Sequence, residues 1–339
     1  MKASLYDHAR HYLTGLALVG AIAFSALEAK AQQALYVGNN NASGAVLQYS
    51  LPLNASSTPN FTLPTETGVI SVGVDASGNL AVGNLAGATQ FFTTPISAAS
   101  VPSATFSNPA PAIGSYQIAF TNAGDMWVAG TTRVNLFTHP FSNASTPSTF
   151  VTMGGLFGAL GTALDNAQNL YVTNATASSN LLVYAPPYTG APIATPIVPG
   201  ASYRKLATTA TQLFVAVAGP GTGRVDVYNL PITAASAPAF SISAGTNLPE
   251  AVAFDAVGNL YVGNLGNSTV SVYNPPFTSG SAPSVTVTVS GFSIFGIAIG
   301  NAVLPLVPTP APSTLLLLLT GLSMAAVWMW RNRRRGTIV

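Results

Sequence analysis

One short pattern recurs six times along this 339-residue chain, and it restricts the fold to copies of a single unit. An aromatic residue is followed two or three positions later by proline and then an apolar residue. The pattern begins at Tyr49, Phe92, Phe137, Tyr184, Tyr228 and Tyr273, with its prolines at Pro52, Pro95, Pro140, Pro187, Pro231 and Pro276. These prolines step by 43, 45, 47, 44 and 45 residues. A second proline follows seven residues later in five repeats (Pro59, Pro102, Pro147, Pro238, Pro283), and five residues later, at Pro192, in the remaining one. A third marker precedes each pattern, as in Leu35-Tyr36-Val37-Gly38-Asn39 and Leu260-Tyr261-Val262-Gly263-Asn264.

Each repeat reads as four short strands. In the last, Ala251–Phe254 is strand a, and Asp255 to Asn259 is a turn in which Asp opens and Gly258 supplies positive φ. Leu260–Gly263 is strand b and Thr269–Tyr273 is strand c. Pro275-Pro276 ends c, because proline cannot donate to a ladder. Ser284–Val289, with valine at alternate positions, is strand d. Four strands in about 45 residues make a propeller blade. The first repeat starts at strand b (Ala34–Gly38), and an extra a-like strand, Phe295–Ile299, follows the last. The reading is therefore an all-β, six-bladed propeller over 32–303, its first blade completed from the far end of the chain, which removes exposed edges. A β-solenoid is the alternative, and two prolines per repeat suit it poorly.

The run Asp255-Ala256-Val257-Gly258-Asn259-Leu260-Tyr261-Val262-Gly263-Asn264, continued by Thr269-Val270-Ser271-Val272-Tyr273, resembles the NHL repeat. Asp75-Ala76-Ser77-Gly78-Asn79-Leu80-Ala81-Val82-Gly83-Asn84 does too. The chain departs from that pattern in having Asn after strand b, and the arginine of the next strand survives only as Arg133 and Arg224. The resemblance implies a propeller. It does not choose among binding scaffolds, lyases and relatives of gluconolactonases, because fold alone does not imply function.

Both ends read as addresses. Met1-Lys2 to Arg10-His11, the apolar run Tyr12–Leu27 and Ala29-Lys30-Ala31 form a signal peptide over 1–31. At the other end, a proline-rich linker spans 304–314, and a transmembrane or sorting segment with an arginine-rich cytoplasmic end spans 315–335. Its sixteen apolar residues, Leu315–Trp330, would span about 24 Å as a helix, the short end of a membrane crossing. Pro310-Ala311-Pro312, the leucine run and Arg331, Arg333, Arg334 and Arg335 resemble a PEP-CTERM sorting signal, with Ala311 where that family has Glu. The resemblance implies an exosortase-like sorting enzyme as a partner. It also implies export through the inner membrane to the cell envelope, cell surface or extracellular matrix.

Between the ends lie four bases (Arg133, Arg204, Lys205, Arg224) and seven acids (Glu66, Asp75, Asp125, Asp165, Asp226, Glu250, Asp255), a balance of −3. No basic stripe exists to neutralise phosphates, so nucleic acid is not an expected partner. With no cysteine and one histidine in this region, His139, thiol catalysis, a Ser-His-Asp centre and a histidine-rich metal site have no residues to use. His139 reads as an ordinary turn residue, and Asp75, Asp165 and Asp255 read as turn caps. Arg224 and Asp226 read as an exposed pair.

The residues that break the repeat are the site candidates. Glu66, Arg204 and Glu250, with Lys205 beside Arg204, precede or enter strand a, where loops converge on one mouth of the channel. Two readings follow. In one, the propeller is a non-enzymatic module binding an envelope polysaccharide or a protein, or a structural module, and needs no cofactor. In the other, Glu66, Glu250 and Asn39, Asn84, Asn174 and Asn264 hold Ca²⁺ in a gluconolactonase-like hydrolase.

Overall fold

The computed structural model describes residues 32–302 apart from 42–43, 111–113, 153–157, 175–179, 197–201 and 220–222. The chain divides into a unit Met1–Val303 and a unit Leu304–Val339. The signal peptide, the linker and the sorting segment with Pro310, Pro312 and Arg331 to Arg335 lie outside the described residues. Among the described residues no helix is long and apolar enough to cross a membrane.

The chain forms six separate antiparallel sheets, with strands in chain order from the channel outward. Blade 1 holds β1 (Gln32–Asn39), β2 (Ala45–Ser50) and β3 (Phe61–Pro64), and blade 2 holds β4 (Val69–Val74), β5 (Leu80–Asn84), β6 (Ala88–Phe92) and β7 (Ala104–Ser107). Blade 3 holds β8 (Ile118–Phe120), β9 (Met126–Ala129), β10 (Arg133–Phe137) and β11 (Thr149–Thr152). Blade 4 holds β12 (Ala159–Leu164), β13 (Leu170–Asn174) and β14 (Asn180–Tyr184). Blade 5 holds β15 (Tyr203–Thr208), β16 (Gln212–Val217), β17 (Arg224–Asn229) and β18 (Phe240–Ile242). Blade 6 holds β19 (Pro249–Phe254), β20 (Leu260–Asn264), β21 (Thr269–Tyr273) and β22 (Val285–Thr288), after which β23 (Ile294–Ala302) returns to blade 1. The inner strands touch in the order β23, β4, β8, β12, β15, β19 and back to β23. Six disjoint antiparallel sheets in a closed ring are a six-bladed propeller and exclude a solenoid.

Closure follows the sequence expectation and extends it. β23 pairs antiparallel with β1 from Gln32↔Ala302 to Asn39↔Ile294. Strands a descend from the d–a connections to the a–b turns, so the a–b and c–d turns share one face, here the turn face. The b–c loops and d–a connections share the other, the loop face. Gln32 begins a b strand and Ala302 ends an a strand, so both lie on the turn face.

The core is distributed over the six inter-blade interfaces. Between blades 5 and 6, for example, Phe214, Val225 and Val227 pack on Val252, Leu260 and Tyr273. Each fully buried side chain of this size contributes about 1.5–3 kcal/mol. The apolar residue after the repeated proline seals each interface: Leu53, Ile96 and Ile232 are buried, and Phe141, Tyr188 and Phe277 pack at the edge. The X–Pro bond before that residue is cis in all six blades.

Blade 4 departs from the expected four strands. Its sheet has three, and the fourth is reduced to an isolated bridge, Val183↔Ala194. In the other blades the c–d turn is closed by a serine hydroxyl accepting the backbone N–H three residues earlier, as at Asn54–Ser57 and Thr278–Ser281. In blade 4 the turn is two residues shorter and lacks that serine. Pro192 and Pro196 then interrupt the donors that an edge ladder needs.

Candidate functional site

The turn face is built locally. Asp255 Oδ1 accepts from the backbone N–H of Val257 and Asn259, and its Oδ2 accepts from Asn259 Nδ2 and the Tyr261 hydroxyl. Asp165 does the same with Asn169 and Tyr171, and Asp75 with Ser77 and Asn79. These carboxylates cap turns, as their repeat-equivalence implies. Burial, with the Asp165 and Asp255 carboxylates beside them, pushes the Tyr171 and Tyr261 hydroxyls well above their usual range. His139 is exposed. Its backbone N–H donates to Asp125 Oδ1 at 2.9 Å and its ring meets Phe141 edge-on.

On the loop face, the asparagines ending strands b prove structural. Asn39, Asn84, Asn174 and Asn264 are buried, and three of them grip nearby loop backbone. Asn39 Oδ1 accepts from the Ser293 N–H and Asn264 Oδ1 from the Asn247 N–H. Asn84 Oδ1 accepts from Ala88 N–H, while its Nδ2 donates to Glu66 Oε2 at 2.8 Å. Blade 3 has Gly130 at this place, and there the Arg133 guanidinium donates to the carbonyls of Pro109 and Ala110 in the preceding connection. Of the channel-mouth asparagines of the sequence reading, Asn39, Asn84 and Asn264 are thus backbone anchors. They were legible only as a repeated residue, because the donors they meet are themselves irregular.

Arg224 and Asp226 correct a second expectation. Asp226 is fully buried, accepting from Arg224 Nε at 2.7 Å, Arg224 Nη2 at 3.2 Å and the Ser241 hydroxyl at 2.6 Å. The fourth strand of the blade, β18, pairs with this part of β17, and the aspartate end of the expected surface pair is interior while Arg224 stays partly exposed.

The channel has three layers, set by register along the inner strands. At its turn-face end is a cavity of about 280 Å³ lined by all six inner strands, among them Val74, Phe120, Leu164, Thr208, Phe254 and Ile299. Above it, successive blades present Gly296, Ser71, Gln117, Gly161, Lys205 and Ala251. Two long polar side chains among small residues form a plug. Gln117 of blade 3 reaches past blade 4 to blade 5 and bonds to both: its Nε2 donates to Leu206 O at 2.8 Å and its Oε1 accepts from Leu206 N–H at 3.1 Å. The same oxygen accepts from Thr162 N–H. Lys205 of blade 5 reaches past blade 6 and donates to Phe295 O of blade 1 at 2.5 Å. The small residues make room, since a Cβ on Gly161 would lie 2.6 Å from Arg204 O and 3.1 Å from Gln117 Oε1.

The loop-face layer is Phe295, Ile70, Tyr116, Leu160, Arg204 and Glu250. Five of the six inner strands shift register here; a bulge places consecutive residues such as Arg204 and Lys205 together near the channel. Glu250 Oε1 lies 3.5 Å from Lys205 Nζ and its Oε2 lies 3.4 Å from Arg204 Nε. The sequence reading placed these charges in the loops that precede or enter strand a. They lie within β15 and β19, with the Lys205 and Glu250 side chains 4% and 5% exposed and that of Arg204 32% exposed. Burial, offset by Glu250, lowers the Lys205 pKa below its ordinary value.

The structure therefore brings Arg204 and Glu250 together and ties exposed Glu66 to Asn84 of blade 2. The carboxylate pair required for Ca²⁺ is not assembled: Glu250 faces two cations that would repel a divalent ion. Among the described residues no group of three or more His, Cys, Asp or Glu is placed to hold a metal. Gln117 was missed by sequence reasoning. Its signal was available, since the equivalent position elsewhere is small except at Lys205.

No protein-family model and no curated protein matches the sequence. Solved structures do match. A protein from Lactobacillus plantarum is 17% identical, with a TM-score of 0.55 over 80% of this chain and 86% of that one. A protein of unknown function from Bacteroides caccae is 13% identical, with a TM-score of 0.60 over 79% of this chain and 98% of that one. A candidate 6-phosphogluconolactonase from Bacteroides uniformis is 13% identical, with a TM-score of 0.57 over 78% of this chain and 84% of that one. At these identities the likeness is one of fold.

Proposed function

We propose that this chain is an exported β-propeller of the cell envelope or extracellular matrix that works as a binding module rather than an enzyme. In this reading the body is an NHL-like propeller, the first 31 residues direct export, and the PEP-CTERM-like tail is handled by an exosortase-like enzyme. The observation that carries it is how the carboxylates are used. Asp75, Asp165 and Asp255 cap turns, Asp226 is held by Arg224, and Glu250 by Arg204 and Lys205. Acid–base chemistry calls for a carboxylate with a proton to exchange at a reacting atom, and these are committed to internal partners. The ligand class that fits an envelope location is a polysaccharide or a protein.

The alternative, a metal-dependent gluconolactonase-like hydrolase, draws on the fold shared with the Bacteroides uniformis protein. One experiment separates the two. The full-length protein in detergent is heated with Ca²⁺, Mn²⁺ or Zn²⁺ and with chelator, and assayed on gluconolactones. The binding-module reading expects no lactone turnover and no chelator-reversible shift. A metal at 100 times its Kd would add about 2.7 kcal/mol and raise Tm by roughly 5–10 °C, and with turnover that would establish the hydrolase instead.

A further inference from the structure

We propose that the loop-face mouth of the channel binds a carboxylate carried on a sugar ring, a hexuronate, and that Arg204 is the residue that reads it. The proposal rests on the binding-module reading above and adds the class of ligand. Charge is the first support. Arg204 and Lys205 share the single carboxylate of Glu250, each taking one of its oxygens, so the cluster keeps a positive charge in a body that is negative as a whole. A cation pair held around one acid attracts a second acid.

Geometry is the second support. Lys205 and Glu250 are buried, whereas the Arg204 side chain is 32% exposed. The Arg204 guanidinium approaches Glu250 Oε2 through Nε at 3.4 Å, an ion-pair contact without a hydrogen bond. A guanidinium held at one edge leaves its terminal N–H groups as a planar fork, which matches a carboxylate in two parallel hydrogen bonds. The third support is the floor. Gln117 and Lys205 cross the channel below this layer, so a ligand entering from the loop face stops at the mouth. There the half-buried Phe295, in the same layer as Arg204, has its ring 6.0 Å from the Nζ of buried Lys205 and adds an apolar residue to the mouth. A mouth that carries an apolar ring and an exposed guanidinium in one layer suits a pyranose with an acid on its rim. It suits a small inorganic anion less well, since such an anion has no apolar face to bury.

The test uses the full-length protein in detergent with trigalacturonate as probe, followed by calorimetry. The free acid is expected to bind, and its methyl ester, equal in shape but uncharged, to bind at least tenfold more weakly. Arg204→Gln should weaken the free acid at least tenfold, and Arg204→Lys by less, since it keeps the charge and loses the fork. Equal binding of acid and ester, unchanged binding by Arg204→Gln, or no binding of the acid at millimolar concentration overturns the proposal. Acetate that competes as well as trigalacturonate removes the sugar from it. If Arg204→Gln does not fold, the acid–ester comparison on the unaltered protein decides. Failure here without lactone turnover leaves the binding-module reading standing, whereas turnover removes that reading itself.

Discussion

The two faces of the propeller use charge in opposite ways. The turn face carries four acids, Asp75, Asp125, Asp165 and Asp255, and no base. The loop-face half carries all four bases, Arg133, Arg204, Lys205 and Arg224, with three acids among them. On the turn face the aspartate bonds are short-range: three aspartates each close a loop onto an asparagine four residues later. On the loop face they are long-range and each differs from the next, as where Lys205 reaches Phe295 or Gln117 reaches Leu206. Repeated residues here hold each blade in shape, and residues that break the repeat join blades to one another around the mouth.

The comparison is broken most forcefully at Glu250. Glu250→Ala leaves two cations without their carboxylate, one of them buried, and should cost about 3–5 kcal/mol. Thermal unfolding should record that as a fall in Tm on the order of 10 °C. A drop no larger than that of a surface substitution would mean the pair is solvated and the face contrast is wrong.

The same region should respond to pH through Lys205. Lys205 holds its proton less tightly in the folded protein than in the unfolded chain. The unfolded chain therefore takes up the extra proton, and stability rises with pH until the unfolded value of 10.5 is reached. Glu250→Gln removes the group that supports the Lys205 proton, which steepens this rise. Denaturant midpoints between pH 7 and 9.5 should climb more steeply for Glu250→Gln than for Asp255→Asn, in which the Lys205–Glu250 pair is intact. Parallel profiles for the two variants would refute the assignment.

Smaller effects sharpen the turn face itself. Asp255→Ala loses bonds from two backbone N–H groups, Asn259 and the buried Tyr261 hydroxyl, and should cost about 1–3 kcal/mol. Asp75→Ala has no tyrosine to orphan, since Ala81 stands where Tyr261 does, and should cost about 1 kcal/mol. Equal losses in urea unfolding would show that the tyrosine bond contributes nothing.

What was legible in the sequence follows the same division. The blade count, the turn caps and the closing strand depend on residues that recur at fixed spacing, and periodicity reveals them. The Arg204–Glu250–Lys205 cluster joins strands about 45 residues apart at bulges, and no local pattern marks a bulge of this kind. The same holds for Asp226: alternation along β17 predicts which residues share a side, but not that Ser241 of β18 covers it. The incomplete blade 4 lay in between. Its early Pro192 was visible as an irregularity, and its consequence for the edge strand was not.

The closing strand has a mechanical consequence. β23 runs down the channel to the turn face and ends at Ala302, which pairs with Gln32. A pull on the chain beyond Ala302, directed away from that face, is applied along the axis of β23. Its eight paired positions with β1 then bear the load together in shear, instead of parting one after another as an unzipping edge would. The strand that completes the ring is also the strand through which such a pull enters the described body, so resistance to it and ring integrity reside in one ladder.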